Sequence, residues 1–179
     1  MGSSHTPGAI IERASIRLGG ANAKEYERFI KFFIVGIIGF IVDFGTLNLL
    51  QLTILPPETN MAVLIATTIA FTAAIMSNFV WNRYWTYPDS RSRPVLQQLG
   101  LFYLVNAVGL LFRIVIVSLL YQPLGAIGAA SINFISPGAI TDTLVQNQIG
   151  TNLTQAIAVF IAMFWNFFVN RYWTYNDVE

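Results

Sequence analysis

The sequence contains no cysteine and a single histidine, His5, near its N-terminus. Without thiols the protein has no disulfide, thiolate metal site or cysteine nucleophile, and the lone histidine leaves little basis for a histidine triad or for zinc, copper or haem chemistry. Charge is also scarce, because 11% of the residues are charged, against about 25% in an ordinary soluble domain. The net charge of +1 gives no bulk attraction to nucleic acid, so we expect no nucleic-acid partner.

Hydrophobic residues make up 55% of the 179-residue chain, and four long apolar runs contain most of them. A helix needs about 20 predominantly apolar residues to cross a bilayer. We therefore predict an all-α integral membrane protein with four transmembrane helices. The seven prolines all fall outside the predicted spans, since proline does not continue a helix. The predicted spans are about 29–52, 60–81, 98–120 and 153–169.

Lysine and arginine predict the orientation of these spans, because cytoplasmic loops carry an excess of both. Nine of the ten cations lie before or at the start of the first span, between the second and third, or after the fourth, and the connections 53–59 and 121–152 have none. The tenth, Arg113, lies inside the third span. We therefore predict a multi-pass protein of the cell (inner) membrane with both termini in the cytoplasm. Its parts are a cytoplasmic or interfacial segment 1–27, the four-helix domain 28–175 and a cytoplasmic tail 176–179.

Two shorter patterns precede the first span. Asn22 followed by Glu25 is typical of a capping box, which predicts a helix that starts near Ala23 and continues into the membrane. Upstream, residues 9–18 mix aliphatic and charged side chains, which indicates a short interfacial helix; a disordered tail is the alternative. The long apolar connection 121–152 either lies in the outer interface or folds over the bundle.

The cytoplasmic ends of the second and fourth spans repeat one motif. Residues 78–87 and 166–175 are identical at eight of ten positions, and the first and third spans align more weakly. We therefore predict two parallel-repeat helical hairpins, related by an axis along the membrane normal, which can form a central site between their halves. The alignment matches three pairs: Gly36 with Asn106, Gly39 with Gly109, and Asp43 with Arg113.

Charged residues inside a span are costly unless they pair or face water. Asp43 and Arg113 either form a structural salt bridge that fixes helix register or line a polar passage for an anionic or hydroxylated head group. The two roles are compatible if the bridge opens during transport.

The repeated motif supplies the other candidate residues. Its two asparagines are one helical turn apart, so they share a face and can bond into the bundle. Membrane anchoring explains a belt of aromatic and basic residues, but the same order of residues in both copies of the motif favours a binding role. Guanidinium groups suit a phosphate, and aromatic rings suit sugar faces or isoprenoid chains. The candidates are Arg83, Arg171 and Lys31 for a lipid phosphate; Asp43, Arg113, Asn78, Asn82, Asn106, Asn166 and Asn170 for a polar passage; and Tyr84, Trp85, Tyr172 and Trp173 for the aromatic interface.

The chain resembles the GtrA-like family of small four-span membrane proteins. The resemblance rests on Arg28-Phe29 through Val35-Gly36, on Asp43 seven residues later, and on the two span-end motifs. It implies a protein that moves a polyprenyl-phosphate-linked monosaccharide, such as undecaprenyl-phosphate glucose, to the outer leaflet for cell-surface polysaccharide glycosylation. The alternative that it implies is a non-transporting anchor or partner subunit of a family 2 glycosyltransferase.

Other classes of protein fit less well. The spans contain no pair of carboxylates, nucleophile–base couple, phosphate loop or metal-ligand cluster, so we expect no enzymatic activity, cofactor or metal. Small multidrug-type exporters also have four spans, but they depend on an acidic residue early in the first span and lack a parallel duplication. Four helices leave little room for a closed cavity, so we expect a homo-oligomer or passage along a membrane-facing groove.

The absence of cysteine makes the predicted topology directly testable. In intact spheroplasts we expect a membrane-impermeant maleimide to label Glu58→Cys in the first outer connection but not Ser92→Cys in the cytoplasmic one. Ser92→Cys should become reactive after permeabilisation, which controls for folding around the thiol. Labelling of Ser92→Cys in sealed spheroplasts would contradict the orientation.

Overall fold

The computed structural model of the chain describes residues 7–19, 23–88 and 94–169, and these contain helices and no strand. The helices are α1 (Pro7–Gly19), α2 (Ala23–Thr53), α3 (Asn60–Trp81), which continues into a π-helical turn (Asn82–Thr86), α4 (Val95–Ile135) and α5 (Thr143–Val169).

Three of the described helical segments are long and apolar enough to cross a membrane: Tyr26–Thr53, Asn60–Thr86 and Val95–Ile135. The prediction of an all-helical membrane protein is therefore confirmed for the described residues, three segments of which can span a membrane. The fourth span, predicted at 153–169 within α5, stays a prediction, as do the parallel-repeat arrangement and the cytoplasmic position of the termini.

The predicted helix start near Ala23 is confirmed, because α2 begins at that residue; its predicted cap, Asn22, lies outside the described residues. The upstream prediction of a short helix is also confirmed by α1. Ile11 and Ser15, one turn apart on α1, are buried, whereas Ile10 and Ile16 are exposed. One face of α1 therefore packs against other residues, whereas Ile10 and Ile16 lie exposed on another face.

The prediction that Pro123 lies in a connection between helices is wrong, whereas the bounds of the third span stay a prediction. α4 runs on to Ile135 with Pro123 inside the helix. Proline removes one backbone hydrogen bond of the helix, but the part of α4 that follows packs closely against α5 at Gly125 and Gly128. The connection that follows α4 is consequently confined to residues 136–142, far shorter than the predicted 121–152.

Side chains and a glycine shape this short connection. Asn133 bonds both ways with Ile140, donating to its carbonyl oxygen and accepting from its N–H, each at 2.8 Å. Between them Gly138 has a φ of 80°, a left-handed conformation that glycine adopts without steric cost. Asp142 then accepts a bond from the N–H of Leu144 at 2.8 Å, which caps the start of α5.

Contacts among the described residues divide the chain into two units. Unit 1 comprises the described residues up to Asp43 together with Thr72–Leu104, and unit 2 comprises Phe44–Phe71 together with the described residues from Val105 onward. α2, α3 and α4 each contribute to both units.

In unit 2, glycines allow α4 and α5 to approach at backbone distance. A Cβ built at Gly125 would overlap the carbonyl oxygen of Gln146, and one built at Gly150 would overlap the carbonyl oxygen of Tyr121. A Cβ built at Gly128 would overlap the side chain of Ile149. Small residues at such positions are the usual means of close helix packing in membranes, so these glycines fix the α4–α5 hairpin.

Gly150→Ala should destabilise the protein by about 1–3 kcal/mol, because its methyl group has no room beside the Tyr121 carbonyl. Gly45→Ala is the matched control, since a Cβ there meets nothing within 4 Å and alanine is the better helix former. The midpoint of unfolding by denaturant in detergent micelles measures both. Equal midpoints for the two variants would contradict the close approach of α4 and α5.

Candidate functional site

The candidate site in unit 1 is a set of buried polar groups on α2, α3 and α4. Asn78 of α3 lies against Gly39 of α2, so closely that a Cβ on Gly39 would overlap its amide group. One turn further along α2 lies Asp43, which is only 5% exposed. Of the small-residue stripe predicted on α2, Gly39 and Asp43 are therefore enclosed, whereas Gly36 is exposed and has open space around it.

The end of α3 carries the predicted phosphate ligand Arg83 into the protein instead of to its surface. Arg83 is 5% exposed and donates a hydrogen bond from its guanidinium to Oε1 of Gln98 on α4. Its spacing explains the burial, because Arg83 continues the face of α3 that holds the buried Ile75 and Phe79 at intervals of four residues. That spacing is a signal in the sequence from which the burial could have been inferred.

The π-helical turn Asn82–Thr86 follows directly, and the N–H of Tyr87 donates to the carbonyl oxygen of Asn82 at 2.8 Å. Such wide turns occur frequently at functional sites. Within the turn Thr86 is buried, and its hydroxyl has no hydrogen-bond partner among the described residues. The amide oxygens of Asn78 and Asn82 are buried and likewise unpartnered within the part of the chain that the structure describes. Three polar atoms that can accept a hydrogen bond therefore cluster along the end of α3.

Aromatic side chains surround the same region. Phe79 of α3 contacts Phe102 of α4 with ring centroids 5.8 Å apart. Trp81 and Trp85 meet edge to face at 6.0 Å. The exposed Tyr84 and the half-buried Trp85 are the two residues of the predicted aromatic interface that the structure describes.

Lys31, the third predicted phosphate ligand, is paired within α2. Its Nζ lies 2.6 Å from Oε1 of Glu27, four residues earlier. A phosphate would therefore have to compete with this carboxylate for the ammonium group.

Two of the predicted passage residues belong to unit 2. Arg113 is 6% exposed, and its guanidinium carbon lies 5.4 Å from the centroid of the Phe71 ring, a distance suited to a cation–π interaction. Asn106 is half-buried on the same helix. The predicted pairing of Asp43 with Arg113 stays a prediction.

Five predicted residues, all from the second copy of the motif, cannot be compared with the first copy. The backbone of Asn166 belongs to α5. The other four lie outside the described residues: Asn170, Arg171, Tyr172 and Trp173.

A second polar set, in unit 2, joins α2 to α5, and no residue in it was among the predicted candidates. Asn48 and Asn152 exchange two amide hydrogen bonds of 2.9 Å. Gln51 donates to the hydroxyl of Thr151 at 2.9 Å. The signal available in the sequence was the spacing of amides and hydroxyls in 147–155, which places several of them on one face of a helix.

These features define a polytopic membrane protein with an internal polar site. The chain belongs to the GtrA/DPMS transmembrane domain family, which matches residues 31–141. The resemblance to the GtrA-like family is thereby confirmed over a range that contains Asp43, Asn78, Arg83 and Arg113.

A curated relative is the dolichol-phosphate mannosyltransferase of Pyrococcus furiosus. It is 32% identical over 92 residues, which are 51% of this chain and 24% of the relative. The chain thus matches about a quarter of that enzyme's length. No solved structure matches the chain.

Gln98→Leu should destabilise the protein by about 1–3 kcal/mol, because the buried Arg83 guanidinium loses an acceptor that leucine cannot replace. Gln97→Leu is the matched control, because Gln97 is exposed and lies next to Gln98 on the same helix. The thermal unfolding midpoint in detergent, followed by tryptophan fluorescence, measures the difference. The assigned bond would be refuted by equal losses in the two variants.

Proposed function

We propose that this protein translocates a polyprenyl-phosphate-linked monosaccharide across the cell (inner) membrane, with both termini in the cytoplasm and no catalytic step of its own. The observation that carries the proposal is the buried polar cluster of unit 1, in which unpartnered amide oxygens of Asn78 and Asn82 lie on the same helix end as the buried Arg83. Membership of the GtrA/DPMS transmembrane domain family supports it.

The chemistry of this cluster suits a sugar phosphate. A buried polar atom without a partner costs about 1–3 kcal/mol, and a sugar hydroxyl that donates to it removes that cost. The Arg83 guanidinium donates one of its hydrogen bonds to a neutral acceptor, the Gln98 amide oxygen. A phosphate oxygen is a stronger acceptor because the bond is then assisted by charge on both sides. Gln98 would therefore keep Arg83 in place until a phosphate displaces it.

The rest of the lipid is accommodated by the outer surface. Many large apolar side chains of the described helices are exposed, among them Phe40 of α2, Ile65 of α3 and Phe112 of α4. An isoprenoid tail can remain in the lipid against such a surface while the head group crosses between helices. In this proposal a homo-oligomer or a membrane-facing groove supplies the room that the described helices do not provide.

A second candidate function is anchoring or assisting a family 2 glycosyltransferase without transport. One specific observation favours it: the shared segment makes up 24% of a relative that is named as a mannosyltransferase. In that enzyme a domain of this kind accompanies a much longer remainder. The exposed Lys24 and Arg13 would then form part of a basic docking surface for a separate enzyme.

Reconstitution in liposomes tests the first function. Purified protein should expose a fluorescent polyprenyl-phosphate hexose to a quencher in the opposite leaflet, and Arg83→Gln should lower the rate at least tenfold, the equivalent of about 1.4 kcal/mol. Lys24→Gln, which removes the same charge from an exposed position, should leave the rate unchanged. Size-exclusion profiles and unfolding midpoints establish that each variant is folded.

The same preparation separates the two candidates, because it contains no glycosyltransferase. Translocation by the protein alone supports transport. Absence of translocation by folded wild-type protein, together with retention of a co-expressed glycosyltransferase on the membrane, would replace transport with anchoring.

A further inference from the structure

Unit 2 contains a second buried polar site with a chemistry different from that of unit 1. We use the name amide seam for five residues on the facing sides of α2 and α5: Asn48, Gln51, Thr151, Asn152 and Gln155. The first four are joined by hydrogen bonds between the two helices at 2.9 Å. None of the five carries a charge, and the site therefore offers amide and hydroxyl groups alone.

Gln155 differs from the other four residues of the amide seam, which are hydrogen-bonded to one another. It lies one turn after Thr151, on the face of α5 that bonds to α2, and it is 1% exposed. Among the described residues, neither its Nε2 nor its Oε1 has a hydrogen-bond partner. One turn before Gln51, the residue on α2 is Leu47, which has no polar atom to offer.

An unpartnered amide is costly within a bundle of apolar helices, because no bulk water reaches it. Leucine would occupy a similar volume without that cost. Thr67 of α3, in the same unit, is a further buried residue whose hydroxyl has no partner in the described ranges. Thr68 beside it follows the usual pattern and bonds to the carbonyl oxygen of Leu64 at 2.8 Å. The described residues therefore leave the hydrogen-bonding capacity of Gln155 and Thr67 unused.

We propose that the amide seam is a second head-group site, which takes the hydroxyl groups of a neutral sugar and has Gln155 as its principal ligand. The inference rests on the proposed function, because it gives the sugar of the transported lipid a second site in addition to the asparagines of unit 1. A hydroxyl both donates and accepts a hydrogen bond, and an amide offers both partners in one side chain. The site in unit 1 differs in having the Arg83 guanidinium, which suits the phosphate.

Access to Gln155 requires the amide seam to open. The bonds that close it join amides to an amide or a hydroxyl, and a sugar hydroxyl can replace each of them with a bond of the same kind. Opening in the presence of a sugar therefore exchanges hydrogen bonds without a net loss. The pair Asn48 and Asn152 would separate and Gln155 would gain partners.

Gln155→Leu distinguishes a ligand-binding amide from a structural one. In the liposome assay with a fluorescent polyprenyl-phosphate hexose, we expect this variant to translocate roughly three- to tenfold more slowly, the loss of about one hydrogen bond. Its thermal unfolding midpoint should equal or exceed that of the wild type, because the substitution removes an unpartnered polar group. Thr154→Val is the matched control on the same helix, since the buried Thr154 hydroxyl already bonds to the Gly150 carbonyl oxygen at 2.7 Å; its translocation rate should not change.

The outcomes separate this inference from the proposed function. An unchanged rate in a stable Gln155→Leu protein would overturn the amide seam as a sugar site while leaving transport intact. A lower unfolding midpoint would overturn it as well, because Gln155 would then have a structural partner. Wild-type protein that moves no lipid-linked sugar would refute the proposed function itself.

Discussion

No water is available within a bilayer to bond buried polar groups, so each one must find a partner in the protein or in a ligand. This constraint accounts for most of the specific contacts in the described residues. Arg83 bonds to Gln98 between α3 and α4, and Asn48 bonds to Asn152 between α2 and α5. The polar side chains decide which helices adjoin, because apolar faces pack as readily against lipid as against one another.

Glycine makes these contacts possible. Gly39 leaves room on α2 for the Asn78 amide, and Gly150 on α5 admits the backbone of α4 at Tyr121. The contact at Gly39 places the Asn78 amide beside the helix that contains Asp43. The contact at Gly150 fixes the α4–α5 hairpin near the amide seam. A residue with a side chain at either position would separate helices whose polar groups depend on close approach. Packing and binding capacity are therefore set by the same residues.

The sequence predicted the helical membrane class and the start of α2, because apolar runs and capping patterns are local signals. It failed at Pro123, where the packing of α4 against α5 outweighs one lost backbone bond. The burial of Arg83 could have been inferred from its spacing relative to the buried Phe79. Its position at the end of a span instead favoured a place at the membrane interface. The unpartnered state of Gln155 was not predictable, since it depends on which residue of another helix adjoins it.

In the proposed function, the buried polar groups of this chain hold the head group of a lipid-linked sugar. Native mass spectrometry of the protein purified in mild detergent from its membrane tests this most directly. We expect a bound polyprenyl-phosphate hexose that withstands delipidation and is lost when Asn78 and Gln155 are both replaced by leucine. Retention of ordinary phospholipid alone, equally in the wild type and in that double variant, would contradict it.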